Sequence, residues 1–447
     1  MCGMHITGKI GYFEKLATHI LLMSNLKDHG EVAMANGEDG QKIRLTARLP
    51  KILGHVVRIA PNELVFSTPQ AITDIYSAAI KNHETWVKTS FTDFGTGDGG
   101  ISWEQDPVKH RKVAKRISPV FSTKSIKAKE HVLQMYVDMF VKRMQEIGGS
   151  KEGIELPKAS DLLHQRVIAT NHKCPLKFLF VPPRILRTLP HVLGINSQEV
   201  QRRIDQRANT KHLDYFESLV PPDAPIPTGR ELNHLEQIAA QLLVAGYDPV
   251  ADQFYGLLFW LLKEPDVLAT LVEEIRSNLL RYEDIVPDAL VSLRYMHACI
   301  QESFRMMDTG PNGMPRVSPG AMVDGVYVPK GVECQMSFFA IIRNEKYFRD
   351  ALSYRPQRWL SPDHPKYETK YSDDMLKAVV PFSTGPRACP GRESAWIQMR
   401  LFLAKVLWAF NLELVRGKDI TFDRDFSVHT MWNKPSIWVR FIPVERE

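Results

Sequence analysis

The 447-residue sequence predicts a mainly α-helical fold with a small β-rich lobe, an α+β architecture, on three observations. Two long segments carry helix-type patterning: Val132, Leu133, Met135, Tyr136, Met139, Phe140 and Met144 repeat at helical spacing within 122–147, and a second helix spans Glu231 to Lys263. Strand-type segments cluster near the start instead, at His55–Pro61 and Leu64–Phe66. Hydrophobic residues make up 44% of the chain, enough at this length for a substantial core, and 55–447 reads as one large domain.

Residues 1–54 are irregular in pattern, and Asn36-Gly37-Glu38-Asp39-Gly40 reads as a loop. The strand at His55–Pro61 and its partner at Leu64–Phe66 then form a hairpin. Trp103 to Lys115 includes a basic helix bearing Lys109, His110, Arg111, Lys112 and Lys115, which a solvated face explains on its own. The helix of 122–147 ends at Gly148-Gly149, and its Met-containing stripe is expected to be core. The chain then passes quickly from Leu163-His164-Gln165-Arg166 to Cys174-Pro175-Leu176 and Pro182-Pro183. Within the Glu231–Lys263 helix, Pro249 lacks an amide donor and pushes against the Ala245 carbonyl, at ~3 kcal/mol in an ordinary helix, so a kink is expected at Ala245-Gly246. No internal repeat or low-complexity tract interrupts this order.

Composition excludes several function classes. The formal charge of +6 is modest for the length and contains no long basic run, which argues against nucleic acid, though a basic face suits an acidic electron donor. Cys2, Cys174, Cys299, Cys334 and Cys389 are odd in number and scattered, which argues against a disulfide framework or a paired-cysteine metal site and suits a reducing compartment. No run reaches the ~18–20 apolar residues of a membrane span. The stretch Leu16–Met23 is too short and contains His19, and Glu14 and Lys15 spoil a secretory signal.

The most informative segment is Phe382-Ser383-Thr384-Gly385-Pro386-Arg387-Ala388-Cys389-Pro390-Gly391, one cysteine in a glycine-lined turn opening into a helix. Gly385 and Gly391 remove side-chain bulk and permit positive φ, so a flat macrocycle can lie against the backbone. Amides at the start of the helix that follows, from about Gly391 to Arg400, can stabilise a Cys389 thiolate. Arg387 offers a planar fork to a carboxylate at the ring edge, and Phe382 an apolar wall. Such a turn suits a thiolate on haem iron, a site for oxygen activation. Two further motifs accompany it: Gln301-Glu302-Ser303-Phe304-Arg305, whose Glu302 and Arg305 share a helix face, and Tyr354-Arg355-Pro356-Gln357-Arg358-Trp359.

With these three motifs in order, the chain resembles the cytochrome P-450 haem-thiolate monooxygenases over 55–160 and 195–447. Phrases such as Val57–Leu64 and Ala298–Arg305 resemble filamentous-fungal members that tailor secondary metabolites, including trichothecene-hydroxylase-like enzymes. The resemblance implies the family's fold as a single haem-thiolate catalytic domain over 55–447. It also implies haem b (iron protoporphyrin IX) with Cys389 as axial iron ligand, and propionate contacts from Arg387, Arg316 and His110. Glu302, Arg305 and Arg358 would interlock beneath the haem, and Ala245, Gly246 and Asp248 would form the distal oxygen-binding segment. A separate NADPH-dependent reductase would supply electrons, with O2 and an apolar small molecule as substrates. Trp86, Phe91, Phe94, Pro311 to Met314 and Thr430-Met431-Trp432 are candidate pocket residues by family position. No flavin or nicotinamide fingerprint is present, which disfavours a self-sufficient fusion.

Three departures temper the implication. The interval 163–180 is short where relatives carry an additional helix, so the substrate roof is expected to be reduced, by a genuine deletion or a faulty gene model. The family's ring-edge basic partner of His110 is here Ala114, with Lys112 or Lys115 left to compensate. Pro249 and Val250 replace the distal hydroxyl that helps deliver protons, and neither can relay one. Asp248 with an ordered water, or a substrate hydroxyl, could take over; alternatively the enzyme is a haem-thiolate isomerase or dehydratase, or a degenerate haem-binding protein. Family members in eukaryotes usually sit on the endoplasmic-reticulum membrane through an N-terminal anchor, so the expected location is intracellular at that surface, with a lost anchor, a late start or a soluble protein left open.

Overall fold

A computed structural model describes residues 54–77, 79–80, 83–89, 98–156, 194, 196–207, 209, 214–428 and 432–446. The irregular segment 1–53, the short interval 163–180, Phe91, Phe94, Thr430 and Met431 lie outside them. Strands β1 (Val56–Ala60) and β2 (Glu63–Phe66) form the expected antiparallel hairpin. Further strands are β3 (Val87–Lys88), β4 (Ile154–Leu156), β5 (Arg316–Val317), β6 (Glu333–Met336), β7 (Phe410–Arg416) and β8 (Ile437–Pro443). One sheet runs β1-β2-β6-β5-β3, with β6 parallel to β2, and a second runs β7-β8-β4. The hairpin therefore pairs with a strand 270 residues further along the chain, since Glu333 aligns with Glu63.

Helices carry most of the remaining regular structure. Asp106 starts α1 (Pro107–Ile117): its carboxylate accepts the Val108 and Lys109 amides, and Pro107 occupies the first turn, where no amide is needed. The single helix expected over 122–147 is instead two, α2 (Thr123–Ala128) and α3 (Glu130–Ile147), because Lys129 leaves the helical path with its amide bonded to the Ile126 and Lys127 carbonyls. The expected core stripe of α3 is also divided. Val141 and Met144 are buried and Leu133 and Val137 line up with them, whereas Met135, Tyr136 and Met139 are exposed at 38%, 62% and 58%. Spacings of four, four and three place the first set on one face and the second off it.

Helix α4 (Gly229–Lys263) runs through Pro249 without a break. One missing hydrogen bond is tolerated there because Leu257, Leu258, Phe259 and Leu261 beyond it are buried. Pro265 then opens α5 (Pro265–Asn278), followed by α6 (Arg294–Met306) and α7 (Arg392–Ala409). These four helices share a core of Leu257, Leu261, Leu271, Ile275, Ile300, Phe304, Leu401 and Leu403. Each such side chain contributes roughly 1.5–3 kcal/mol on burial. The β7-β8-β4 sheet packs Phe410, Val439 and Phe441 against Val141 and Met144 of α3, and the first sheet packs Phe66 and Met336 with Ile75, Trp86 and Phe348. No helix among the described residues is long and apolar enough to cross a membrane.

Candidate active site

Cys389 sits between a tight turn at Gly385–Arg387 and the first residue of α7. Its amide donates to the Phe382 carbonyl at 2.8 Å, and that of Ala388 to Gly385 at 3.1 Å, so the turn is closed by its own backbone. Gly385 adopts φ +71°, and a Cβ there would lie 2.2 Å from the Tyr76 carbonyl oxygen, so only glycine fits. Gly391 corrects the expectation of positive φ: it has φ −81° and serves as the residue before α7, a role that needs no left-handed backbone. A Cβ at Gly391 would stand 3.8 Å from Cys389 Sγ. Burial raises the Cys389 thiol above its ordinary pKa, and the hydrogen bond from the Gly391 amide lowers it. Phe382 is half-buried, its ring 5.3 Å from that of Phe304 on α6.

Cations converge beside this turn. Arg387 Nη1 donates to the Glu104 carbonyl at 2.6 Å and Nη2 to that of Gln105 at 3.4 Å. Lys88 Nζ donates to the Ser102 carbonyl. Arg316, buried on β5, donates to the Met314 and Pro315 carbonyls at 3.3 Å and places its guanidinium 5.1 Å from the Tyr76 ring centre. His110 on α1 reports their combined field: its pKa is lowered to about 3, first by burial and then by Arg387, Lys88, Arg316 and Arg111. Arg316 is buried and Lys88, Arg387 and His110 are half-buried, and the two carboxylates of a haem fit donors gathered this way. The Cys389 side chain, exposed yet crowded enough by protein to be desolvated, is backed by an amide donor and fits an axial thiolate on the same group. Lys88 was not singled out in the sequence, where it lies in a short strand with no motif around it.

Glu302, Arg305 and Arg358 are brought together with their side chains wholly buried. Arg305 forks onto Glu302 at 2.9 and 2.7 Å, and Arg358 Nε reaches the same carboxylate at 3.1 Å. Arg305 also donates to the carbonyls of Ile342, Ala351 and Ser353. Burial pushes the Glu302 pKa up, the fields of Arg305 and Arg358 pull it down, and the result lies below the ordinary carboxylate value. Three partners escaped the sequence reading: Trp359 Nε1 and the Arg355 amide, each donating to Glu302 at 2.8 Å, and Asp374, which pairs with Arg358 Nη1. With Asp374 included, two carboxylates meet two guanidinium groups and the formal charge cancels.

On α4, Ala245 and Gly246 are exposed while Asp248 is buried. A Cβ on Gly246 would meet nothing within 4 Å, so this stretch of helix borders open space. Pro249 and Val250 stand half-buried one turn on and bring no hydroxyl. Asp252, one turn past Asp248, is buried and ion-paired with buried Lys434, and it accepts the Trp432 amide at 3.3 Å. Trp432 Nε1 donates to the Asp308 carbonyl at 2.7 Å, and burial raises the Asp308 carboxyl to about 6. Of the candidate pocket residues, Trp86 is buried in the core of the first sheet, whereas Met314 is 40% exposed.

Comparison with known proteins identifies the family. The family model described as Cytochrome P450 matches residues 187–439. The chain is 43% identical over 430 residues to the cytochrome P450 monooxygenase TwmD of Talaromyces wortmannii, covering 87% of this chain and 84% of that protein. It is 32% identical to the cytochrome P450 monooxygenase poxC of Penicillium oxalicum, covering 87% and 81%, and 30% identical to the cytochrome P450 monooxygenase ORF9 of Penicillium roqueforti, covering 88% and 82%.

Proposed function

The chain belongs to the cytochrome P450 family and is a P450 monooxygenase of the fungal secondary-metabolite type, and from that premise we propose that it hydroxylates or epoxidises an apolar small molecule, with haem b held by Cys389. The observation that carries this reading is the convergence of Lys88, His110, Arg316 and Arg387 beside the Cys389 turn. A thiolate-ligated haem supplies the activation of O2, with two electrons and two protons consumed, one oxygen atom entering product and the other leaving as water.

The protein's own residues supply position and environment. Arg387, Arg316 and His110 would hold the propionates of a bound haem, with Lys88 beside them. The Gly391 amide stabilises negative charge on sulfur. Phe382 keeps the sulfur side apolar through its contact with Phe304. Glu302, Arg305 and Arg358 stiffen the irregular segment before the cysteine. With haem bound, Ala245 and Gly246 would leave room for it beside α4, and Asp248 would pass a proton through an ordered water or a hydroxyl on the substrate. The whole of 55–447 acts as one catalytic domain, fed by a separate NADPH-dependent reductase at the endoplasmic-reticulum surface. Pro249 supports a second reading, a haem-thiolate isomerase or dehydratase that needs no proton relay.

Two measurements decide. Ferrous-CO spectroscopy of the purified, haem-loaded protein should give a thiolate spectrum that Cys389→Ala abolishes; a wild type ligated through another side chain ends the proposal. Turnover under labelled O2 should place one labelled atom in product with reductant consumed in step with substrate, whereas label-free product formed without reductant selects the isomerase reading.

A further inference from the structure

We propose that Gln241 is a positioning residue for this site: it clamps the segment 98–106 onto α4, and that segment sets the cations at the propionate edge. The inference rests on the haem reading above.

Gln241 is polar yet 3% exposed, one turn before Ala245. Its Oε1 accepts two amides at once, Ile101 at 2.8 Å and Ser102 at 2.7 Å, and its Nε2 donates to the Gly99 carbonyl at 3.1 Å. Two acceptor lone pairs and one donor of a single carboxamide are thereby used on one loop. The loop is shaped to receive it. Gly100 has φ +53°, and a Cβ there would fall 2.4 Å from Gln241 Nε2. Two turns earlier on α4, His234 Nδ1 lies 2.9 Å from both oxygens of Asp98, so the loop's first residue is held to the same helix.

From that anchor the segment reaches Lys88, Arg387 and His110 in turn. The Ser102 carbonyl receives Lys88, those of Glu104 and Gln105 receive Arg387, and Asp106 caps the helix that carries His110. Where 99–102 sits on α4 therefore fixes where Lys88, Arg387 and His110 point. The same helix carries Ala245 and Gly246, so the open space beside it and the cationic edge share one reference frame.

The test uses the full-length, haem-loaded protein and three variants. Gln241→Leu should lose amide exchange protection at Ile101 and Ser102 and release haem to apomyoglobin about tenfold faster, the loss of two to three buried hydrogen bonds. Gln241→Glu keeps the acceptor for Ile101 and Ser102 but loses the donor to Gly99, so it should fall between wild type and Gln241→Leu in both readouts. Gly100→Ala should behave like Gln241→Leu, because the added carbon occupies the carboxamide's place. A merely structural role would raise exchange throughout the protein and lower Tm; the clamp raises exchange within 98–106 only. Wild-type haem release from Gln241→Leu, or release from Gln241→Glu as fast as from Gln241→Leu, overturns the inference. If Gln241→Leu yields no folded protein, Gly100→Ala carries the comparison. Should the wild type take up no haem, the failure lies with the haem reading, and unprotected Ile101 and Ser102 amides in that protein would overturn the clamp separately.

Discussion

Pro249 differs from a threonine in two ways that matter on α4: it has no hydroxyl to pass a proton and no amide to donate to the Ala245 carbonyl. Pro249→Thr restores both, and it should raise product formed per reductant consumed with the native substrate. Unchanged coupling in that variant, measured as product against NADPH oxidised, would remove the relay argument. Asp308 makes a second residue-scale prediction. Burial raises its carboxyl to about 6, against roughly 4 in an unfolded chain. Below pH ~4 the group is neutral in both states and its burial costs nothing; as pH rises through ~6 the folded state must hold a buried charge, and that stability is lost. Asp308→Asn should therefore gain on the wild type by on the order of 3 kcal/mol between pH 4 and 7 in chemical denaturation. Parallel pH profiles would show that Asp308 does not titrate as its burial requires. Cys389 was legible in the sequence because glycine, arginine and phenylalanine mark its turn at fixed offsets. Asp308 was not, since nothing near it in sequence reveals that Trp432 will cover it.

At the scale of elements, the run between β6 and α7 belongs to no sheet and is held largely by side chains. Glu302 receives five hydrogen bonds, two from Arg305 and one each from Arg358, the Arg355 amide and Trp359. Glu302→Ala should cost about 3–5 kcal/mol in urea unfolding, because two buried guanidinium groups lose a shared anion. Asp374→Asn should destabilise in the same direction, which the three-residue reading of the network does not predict. The turn before α7 depends on Gly385 in a different way. Gly385→Ala drives a carbon into the Tyr76 carbonyl, so the turn must move, and loss of the ferrous-CO thiolate spectrum is the expected readout. Glu302 and Arg305 could be read as a pair because a helix fixes the distance between positions three apart. Asp374 escaped because it reaches Arg358 through irregular backbone, for which no periodicity exists. The split of the 122–147 helix at Lys129 escaped for a related reason: apolar spacing reports a face, and says nothing about where one residue leaves the helical path.

At the scale of the whole molecule, α4 is tied to the chain's last strands by one buried ion pair, Asp252 with Lys434, 182 positions apart. The surrounding contacts bring the same regions together, with Trp432 donating to Asp252 from its amide and to the Asp308 carbonyl from its ring nitrogen. Long, strongly periodic helices and the hairpin of β1 and β2 were legible because their patterns are local. This tie was not, because neither Asp252 nor Lys434 has a neighbour in sequence that marks it. Its energetics set the final prediction. Two charges taken out of water cost several kcal/mol each, and their attraction offsets that only while both are present. Lys434→Met alone removes the cation from Asp252 and should destabilise by about 3–5 kcal/mol, and Asp252→Leu alone should do the same to Lys434. The double variant removes both charges together and should recover most of the loss, so the two effects will not add. Urea denaturation of the four proteins tests this. Additive losses would mean that Asp252 and Lys434 stabilise the fold through separate contacts, and that the end of the chain is not anchored to α4 by their charge.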